Sequence, residues 1–291
     1  MLGIFLDTAY QSLILLPLVI GIYISYKLMN ITDLTVEGSY VLGAAVFSKL
    51  LINGYHPFMC TSVGIMAGVI SGFIVGYIQK DDKVDPLIAG ILMIFMMYSV
   101  NLQIMDAPNL HVHNLVTFPE IFDSIYPNHG DTILILISAF FSVIVSILII
   151  KSVFGLKLRS YGINKALLYR LGNNPEKYRF LGLGLSNGLA ALSGITTVQI
   201  YGFADVNMGF GIALISIAAL LIGMHVTKKM FANNIYSVTK DIFACFVGIL
   251  LYHLAVAIFL KIGINPMNLK LLIGLFLILL MKIFTSSRKG V

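Results

Sequence analysis

Carboxylate side chains stand beside or within apolar runs at three points of the chain. Asp33 and Glu37 lie in the polar segment 30–39, and Asp205 lies in a second polar interruption. An ionisable group costs free energy in lipid, so we expect these residues to face a polar cavity, a partner or the membrane interface. Two interpretations stay open. The carboxylates could line a path for a solute, or Asp33 or Thr35 could cap a short helix that begins near Glu37.

Neighbouring polar residues complete the candidate path. Asn101 and Gln103 lie within an apolar run, where amides more often form hydrogen bonds between helices than bind a solute. Whether Glu37 lines the path is left open. The candidate path comprises the following residues: Asp33, Thr35, Glu37, Ser39, Asn101, Asp205 and Asn207.

The two polar interruptions resemble each other. In ITDLTVEGSYVLGAA an aspartate is followed by an apolar, a polar and an apolar residue, and then by glycine and a short apolar helix. FADVNMGFGIALISIAA has a similar order, and it is approached from the opposite side of the membrane. This arrangement is expected of an inverted repeat whose broken helices surround a midplane pathway. Short Gly/Asp turns also recur by chance, so the repeat is a hypothesis.

Signatures of catalysis and of metal binding are absent from the sequence. It has no nucleophile motif, no H-E-x-x-H and no G-x-x-x-x-G-K-[ST] phosphate loop. His111, His113 and His129 lie near acids and could bind a transition metal, but the i, i+2 spacing of the first two gives no shared helical face. We therefore predict no enzyme activity, no cofactor and no metal. Any ATPase that drives this protein must be another chain.

The elements that position these residues are apolar spans. The chain has 291 residues, of which 58% are hydrophobic and 11% charged, and its mean hydropathy is +0.94. A soluble domain could not bury so much apolar surface. The sequence predicts one all-α polytopic membrane domain over residues 1–291, with about nine (roughly eight to ten) membrane helices that include broken half-helices. The predicted spans are 13–29, 40–52, 58–78, 86–105, 132–150, 181–201, 208–226, 242–260 and 271–283.

Small residues recur at helical spacing in two of these spans, 58–78 and 181–201. The third span carries a glycine at every fourth position, which makes one smooth face that a neighbouring backbone can approach closely. We interpret this row as a packing surface rather than a path. Its members are Gly64, Gly68, Gly72 and Gly76.

Basic residues indicate the orientation. All Lys and Arg except Lys49, Lys261 and Lys270 fall in segments on one side of the alternating spans. Lys and Arg near span ends are held on the cytoplasmic side. The N-terminus is therefore predicted outside and the C-terminus in the cytoplasm. The net charge of +6 comes from the basic segments that orient the chain in the membrane, so it does not indicate nucleic-acid binding.

The stretch 151–179 is a basic loop between two spans. It holds seven Lys or Arg and one acid, and it predicts a helix over 164–171 that is ended by Gly-Asn-Asn-Pro. The loop could be only a topological anchor or a docking surface for a cytoplasmic partner. An anchor needs charges alone, so the defined helix and its break favour docking.

Three segments carry a resemblance to a known family. DLTVEGSYVLGAA, YRLGNNPEKYRFLG and YGFADVNMGFGIALISIAALLIG resemble permease subunits of ATP-binding cassette (ABC) importers of the ribose and branched-chain amino acid group. The resemblance covers most of residues 13–226 in consistent order. It is most specific in LTVEGSYVLGAA and PLIAGILMIFMMYSVNLQIMDAPN, which are most similar to a poorly characterised branch associated with aromatic amino acid binding proteins.

The resemblance implies a function and partners. It implies a permease subunit in the bacterial inner or plasma membrane that translocates a small polar solute of the amino acid class. The expected partners are cytoplasmic ATPase subunits, an extracytoplasmic solute-binding protein, membrane lipid and a second permease, as a homodimer or a pair. The solute and the choice between homodimer and heterodimer stay open.

The resemblance also implies that 156–180 is the coupling loop that a cleft on the ATPase receives. Many relatives have an Ala-rich helix at its start, whereas residues 165–169 here are bulkier, which puts the details of the ATPase contact in doubt. The residues that the resemblance assigns to this loop are Arg170, Gly172, Asn173, Pro175, Glu176 and Gly182.

A different class of function remains as the alternative. A self-sufficient secondary transporter or channel, driven by an ion gradient, would need a titratable carboxylate at membrane depth. Asp33, Glu37 and Asp205 are the candidates.

Overall fold

The computed structural model describes residues 2–113, 115–230 and 238–265, together with 268, 271, 274 and 275. Within these residues the chain is mostly helical, which confirms the predicted all-α class. A π-helical turn, Tyr23–Leu28, follows the first helix, and a 3₁₀ turn, Lys80–Asp82, follows the third. The α-helices are α1 Leu2–Ile22, α2 Val36–Ile52, α3 Pro57–Ile78, α4 Pro86–Met105, α5 Phe118–Asp123, α6 Gly130–Lys151, α7 Val153–Ile163, α8 Lys165–Arg170, α9 Pro175–Tyr201, α10 Ile212–Met230 and α11 Val238–Lys261.

Seven helical segments of the described chain are long and apolar enough to cross a membrane: Phe5–Leu28, Pro57–Asp82, Pro86–Met105, Gly130–Lys151, Pro175–Tyr201, Ile212–Met230 and Val238–Lys261. Helix α2, at 17 residues, is slightly shorter than these segments, and it begins four residues before the short span predicted at 40–52, so it is longer than the predicted half helix. The predicted span 271–283 lies largely outside the described residues. The count of about nine and the inverted repeat stay predictions.

Helix α9 is the centre of the bundle and packs against α1, α2 and α3. The glycine row of α3 faces it. A Cβ on Gly68 would collide with Ala191 and with the Asn187 carbonyl, and a Cβ on Gly72 would collide with the backbone of Leu183. The two backbones therefore approach closely because glycine supplies no side chain.

Helices α1 and α9 run antiparallel and are joined by serine hydroxyls. Ser186 donates to the carbonyl oxygen of Gly21 at 2.8 Å, and Ser193 donates to that of Ile14 at 2.7 Å. Hydroxyls that bond a neighbouring backbone satisfy buried polar groups within the membrane region.

Two short strands, β1 (Asn109–His111) and β2 (Phe203–Asp205), pair antiparallel and join the loop after α4 to the loop after α9. Val112 and Ala204 pack with Phe47 near the end of α2. The strand pair therefore fixes one end of the bundle, which we call the strand end. The opposite end, which carries the basic loop, is called the basic end.

The basic loop contains more helix than predicted. Besides α8, the structure has α7, and α9 begins at Pro175, six residues before the predicted span. Gly155 and Gly162 disfavour a helix by intrinsic propensity. Leu158 and Tyr161 of α7 are nevertheless buried in the core, so packing of one helix face outweighs propensity.

Candidate functional site

The same turn precedes helices α2 and α10. The Oδ1 atom of Asp33 accepts a hydrogen bond from the backbone N–H of Thr35 at 2.9 Å, and Asp205 accepts one from the N–H of Asn207 at 2.6 Å. The two similar sequences therefore fold into the same Asx turn. Neither Asp33 nor Thr35 caps α2 as predicted, because Asp33 bonds the N-cap residue itself and Thr35 makes no side-chain cap bond.

A buried polar network surrounds Asp33. Its Oδ2 atom accepts a hydrogen bond from Asn187 Nδ2 at 2.8 Å, and Asn187 Oδ1 accepts one from the Ser39 hydroxyl at 2.6 Å. The Ser39 and Ser71 hydroxyls are 2.6 Å apart. All four residues are buried. The network therefore joins the start of α2 to α3 and α9 in the interior of the bundle.

Glu37 links α2 to the start of α10. Its carboxylate accepts hydrogen bonds from the backbone N–H groups of Gly211 and Ala213, the latter at 3.2 Å. The first N–H groups of a helix have no partner within it, and the macrodipole favours negative charge there. The first turns of the two helices therefore meet at a buried carboxylate.

Asn101 forms a hydrogen bond between helices, as expected from the sequence for an amide in an apolar run. Its Nδ2 atom donates to the carbonyl oxygen of Gly38 at 3.2 Å, so it joins α4 to α2. Among the described residues, its Oδ1 atom has no hydrogen-bond partner.

We call the buried start of α2, with the Asp33 network and the contact between Glu37 and α10, the junction. A cavity of about 280 Å³ lies between the junction and the strand end. At about 30 Å³ for each water, it would hold about nine waters or one small solute. The Tyr40 hydroxyl in its wall donates to Thr197 Oγ1 at 2.8 Å, and His253 Nδ1 lies 3.2 Å from the Ser12 hydroxyl. The residues that line the cavity are Gln11, Ile14, Leu15, Tyr40, Thr197, Tyr201, Ile212 and His253.

A second cavity, of about 150 Å³, lies at the basic end. Arg179 lines it, whereas Thr197 lines the first cavity. Both residues belong to α9, and Asn187 lies between them in sequence. At 1.5 Å per residue they are about 27 Å apart along the helix. Along α9, the Asp33 network therefore lies between the levels of the two cavities.

The basic loop folds as its capping residues dictate. Asn164 caps α8 by accepting a hydrogen bond from the N–H of Leu167 at 3.1 Å, and Asn174 caps α9 through the N–H of Glu176 at 2.9 Å. Gly172, between them, has a left-handed φ of 72°, which glycine adopts without strain. The helix predicted at 164–171 is confirmed.

Large side chains of α8 and of Leu171, the residue that follows it, are exposed. Tyr169 is 76% exposed, Leu171 is 65% exposed and Leu167 is 47% exposed, whereas Leu168 packs inward. Arg170 beside them is also exposed. An apolar surface flanked by basic residues on a non-membrane segment is typical of a protein interaction site.

The predicted loop residues divide by position. Arg170 and Gly172 are exposed. Gly182, by contrast, is buried within α9, where a Cβ would collide with Met29 and Leu158. Asn173, Pro175 and Glu176 are half-buried at the start of α9.

Residues 4–281 match a family described as the permease component of branched-chain amino acid transport systems. The chain belongs to this permease family. The permease is 34% identical over 268 residues to the tyrosine transport system permease protein of Clostridioides difficile (strain R20291), which covers 92% of this chain and 87% of that protein. It is 49% identical over 279 residues to an uncharacterised protein of Rickettsia prowazekii (strain Madrid E), covering 95% and 96% of the two chains. No solved structure matches the chain significantly.

These comparisons confirm the resemblance found in the sequence, and the permease is an integral membrane protein of a transport system. The residues that the sequence analysis assigned to a candidate path do not lie in one cluster in the structure. Asp33, Thr35 and Ser39 belong to the buried junction, whereas Asp205 and Asn207 lie at the strand end.

Sequence reasoning missed several members of the junction. Asn187 and Ser71 complete the Asp33 network, and Tyr40 lines the larger cavity. An amide in the middle of a small-residue span was the available signal, because such a group must find a partner in the membrane interior. In the part of the chain that the structure describes, no three His, Cys, Asp or Glu side chains converge as metal ligands.

Proposed function

We propose that the permease is the membrane subunit of an ATP-driven importer that carries a small polar solute, an amino acid, into the cytoplasm. The observation that supports this most directly is the meeting of the first turns of α2 and α10 in the interior of the bundle, at a level of α9 that lies between two cavities. Transporters of this general design place the solute where discontinuous helices meet and open it to each side in turn.

We further propose that the solute is an aromatic amino acid. The larger cavity offers the tyrosine rings of Tyr40 and Tyr201 together with hydroxyl, amide and imidazole groups. Aromatic walls with a few placed polar groups suit an amphipathic ligand. The name of the Clostridioides difficile relative, a tyrosine transport permease, supports the same solute class.

In this proposal the buried junction is the barrier. With the solute in the larger cavity, α10 shifts relative to α2 and the bond between Glu37 and Ala213 breaks. The Asp33–Asn187 contact then opens towards the smaller cavity at the basic end. The chain supplies positioning and access, and it forms no covalent bond with the solute.

The exposed face of α8 and the family of the chain support the following partners. A cytoplasmic ATPase binds the exposed face of α8, which places the basic end and the C-terminus in the cytoplasm, with the N-terminus outside. An extracytoplasmic binding protein delivers the solute at the strand end, and a second permease completes the complex.

Purification of the tagged chain in mild detergent, followed by mass spectrometry, tests this proposal. We expect a companion ATPase that is lost when 172–176 is replaced by a Gly/Ser linker. The matched control places a linker of equal length at 124–128, in a loop that lies outside α8, and it should leave the ATPase bound. Proteoliposomes of the complex should then accumulate labelled tyrosine only with ATP.

Two results together would contradict this proposal. A chain that arrives alone from several detergents and still moves solute without ATP would contradict the importer. The ion-driven alternative, with Asp33 and Glu37 as its titratable groups, would then replace it.

A further inference from the structure

Arg179 carries a buried guanidinium at the basic end. Its side chain is 1% exposed, and arginine is almost never so buried without partners. Nε donates to the Tyr161 hydroxyl of α7 at 2.7 Å, Nη1 donates to the Gln79 carbonyl at the end of α3, and Nη2 donates to Asp82 in the 3₁₀ turn. One side chain therefore ties the basic loop to the turn between α3 and α4.

Lys165 makes a second connection to the same carboxylate. Its Nζ atom lies 2.7 Å and 2.9 Å from the two carboxylate oxygens of Asp82. Lys165 Nζ is 5.2 Å from the centre of the Tyr161 ring, and the guanidinium of Arg179 is 5.8 Å from it. Because Lys165 is the first residue of α8, Asp82 joins the exposed helix to the first turns of α9.

The turn that receives these bonds has an unusual backbone. Asp81 and Asp82 have φ values of 58° and 55°, in the left-handed region that residues other than glycine occupy at a cost. The carboxylate of Asp81 meets only Lys83 among the ion pairs of the described residues, at 3.9 Å, and both are exposed. The contacts from Arg179 and Lys165 therefore hold the turn in this shape from the side of the basic loop.

The basic loop also contacts the π-helical turn Tyr23–Leu28, which precedes α2 and the junction. The carbonyl oxygen of Leu28, in the π-helical turn, lies where a Cβ of Gly162 would stand. Movement of the basic loop therefore reaches, by direct contact, the segment that precedes α2. π-Helical turns occur frequently at functional sites.

We propose that Arg179 is a positioning residue: together with Lys165, the first residue of α8, it couples displacement of the basic loop, through Asp82, to the turn between α3 and α4. This inference rests on the proposed function. The ATPase binds the exposed face of α8, whereas the Arg179–Asp82 contact converts the resulting movement into solute transfer. Binding of the ATPase and productive transport therefore depend on different residues.

The test uses the complex of permease and co-purified ATPase in proteoliposomes, with Asp82→Asn and Arg179→Lys. We expect both variants to retain the ATPase and to hydrolyse ATP, while the solute moved per ATP hydrolysed falls by about fivefold or more. Asp82→Glu, which keeps the charge, should restore part of the ratio. The matched control is Asp81→Asn, which removes the same charge from the same turn and leaves the ratio unchanged.

A merely structural role gives a different result. If Asp82→Asn and Arg179→Lys lower only yield or thermal stability, and transport per ATP equals that of the wild type, the inference is wrong. Failure of the proposed function is recognised separately, because there the wild-type chain itself brings no ATPase.

Discussion

The carboxylate of Glu37, in the first turn of α2, accepts a hydrogen bond from the backbone N–H of Ala213, in the first turn of α10, at 3.2 Å. An acid of α2 thus occupies the N-terminal end of α10. Since α10 cannot separate from α2 without losing this bond, its strength bears on both stability and solute passage.

Glu37→Gln tests the charge at this contact. The amide keeps the size of the side chain but loses the attraction between a carboxylate and a helix N-terminus, so we expect about 1 kcal/mol of lost stability. ATP-driven uptake should persist in part, whereas an ion-coupled transporter would lose uptake altogether. Thermal unfolding in detergent and uptake into proteoliposomes measure the two effects.

The control for this prediction is Glu120→Gln. Glu120 accepts a hydrogen bond from the N–H of Thr117 at 3.3 Å, in a short helix outside the junction. It should leave uptake unchanged. Equal uptake and equal unfolding temperature for Glu37→Gln and the wild type would contradict the assigned role.

Asp33→Asn tests the buried network. An amide has one oxygen, so it can accept from Thr35 or from Asn187 while its NH₂ group faces the other donor. A buried polar group left without a partner costs about 1–3 kcal/mol, and we expect the unfolding temperature to fall accordingly. Asp205→Asn is the matched control, because it changes the same turn at a half-buried position where water can bond the amide. Equal effects of the two substitutions would show that the Asn187 contact contributes nothing.

The class of fold was predictable because membrane spans depend on length and composition alone. Helix α8 and its end were predictable for a similar reason, since Asn164 and Gly172 act on their own neighbours in sequence. Helix α7 was not, because its stability comes from burial of Tyr161 and Leu158 against distant elements.

Gly72→Ala tests the close approach of α3 and α9. A Cβ at this position would collide with the Leu183 carbonyl, and overpacking of this kind costs about 1–3 kcal/mol. Gly3→Ala is the control, because no atom lies within 4 Å of a Cβ there and alanine favours a helix. We expect the first variant to unfold at lower temperature and the second to unfold at or above the temperature of the wild type. A Gly72→Ala protein as stable as the wild type would mean that the helices are further apart.

The junction itself could be predicted only in part. Asp33 and Glu37 stand out because carboxylates are rare in apolar surroundings. Their partners Asn187 and Ala213 lie more than 150 positions away in sequence, as the hydrogen bonds over 154 and 176 positions show. A single sequence gives the cost of burying such groups but not the identity of the distant groups that offset it.

Tyr40→Phe tests whether the larger cavity binds the solute. The substitution removes the hydroxyl that donates to Thr197 at 2.8 Å and leaves the ring in the cavity wall. In the proposed complex this hydroxyl, which lines the cavity, forms a hydrogen bond with the solute. Loss of one neutral hydrogen bond is worth about 1 kcal/mol, so we expect the Kd for labelled tyrosine, measured by equilibrium dialysis on the purified complex, to rise about fivefold. Tyr98→Phe, on an exposed face of α4, makes the same chemical change away from the cavity and should leave the Kd unchanged. If both variants bind tyrosine as the wild type does, the solute lies elsewhere, and the junction near Glu37 becomes the next position to probe.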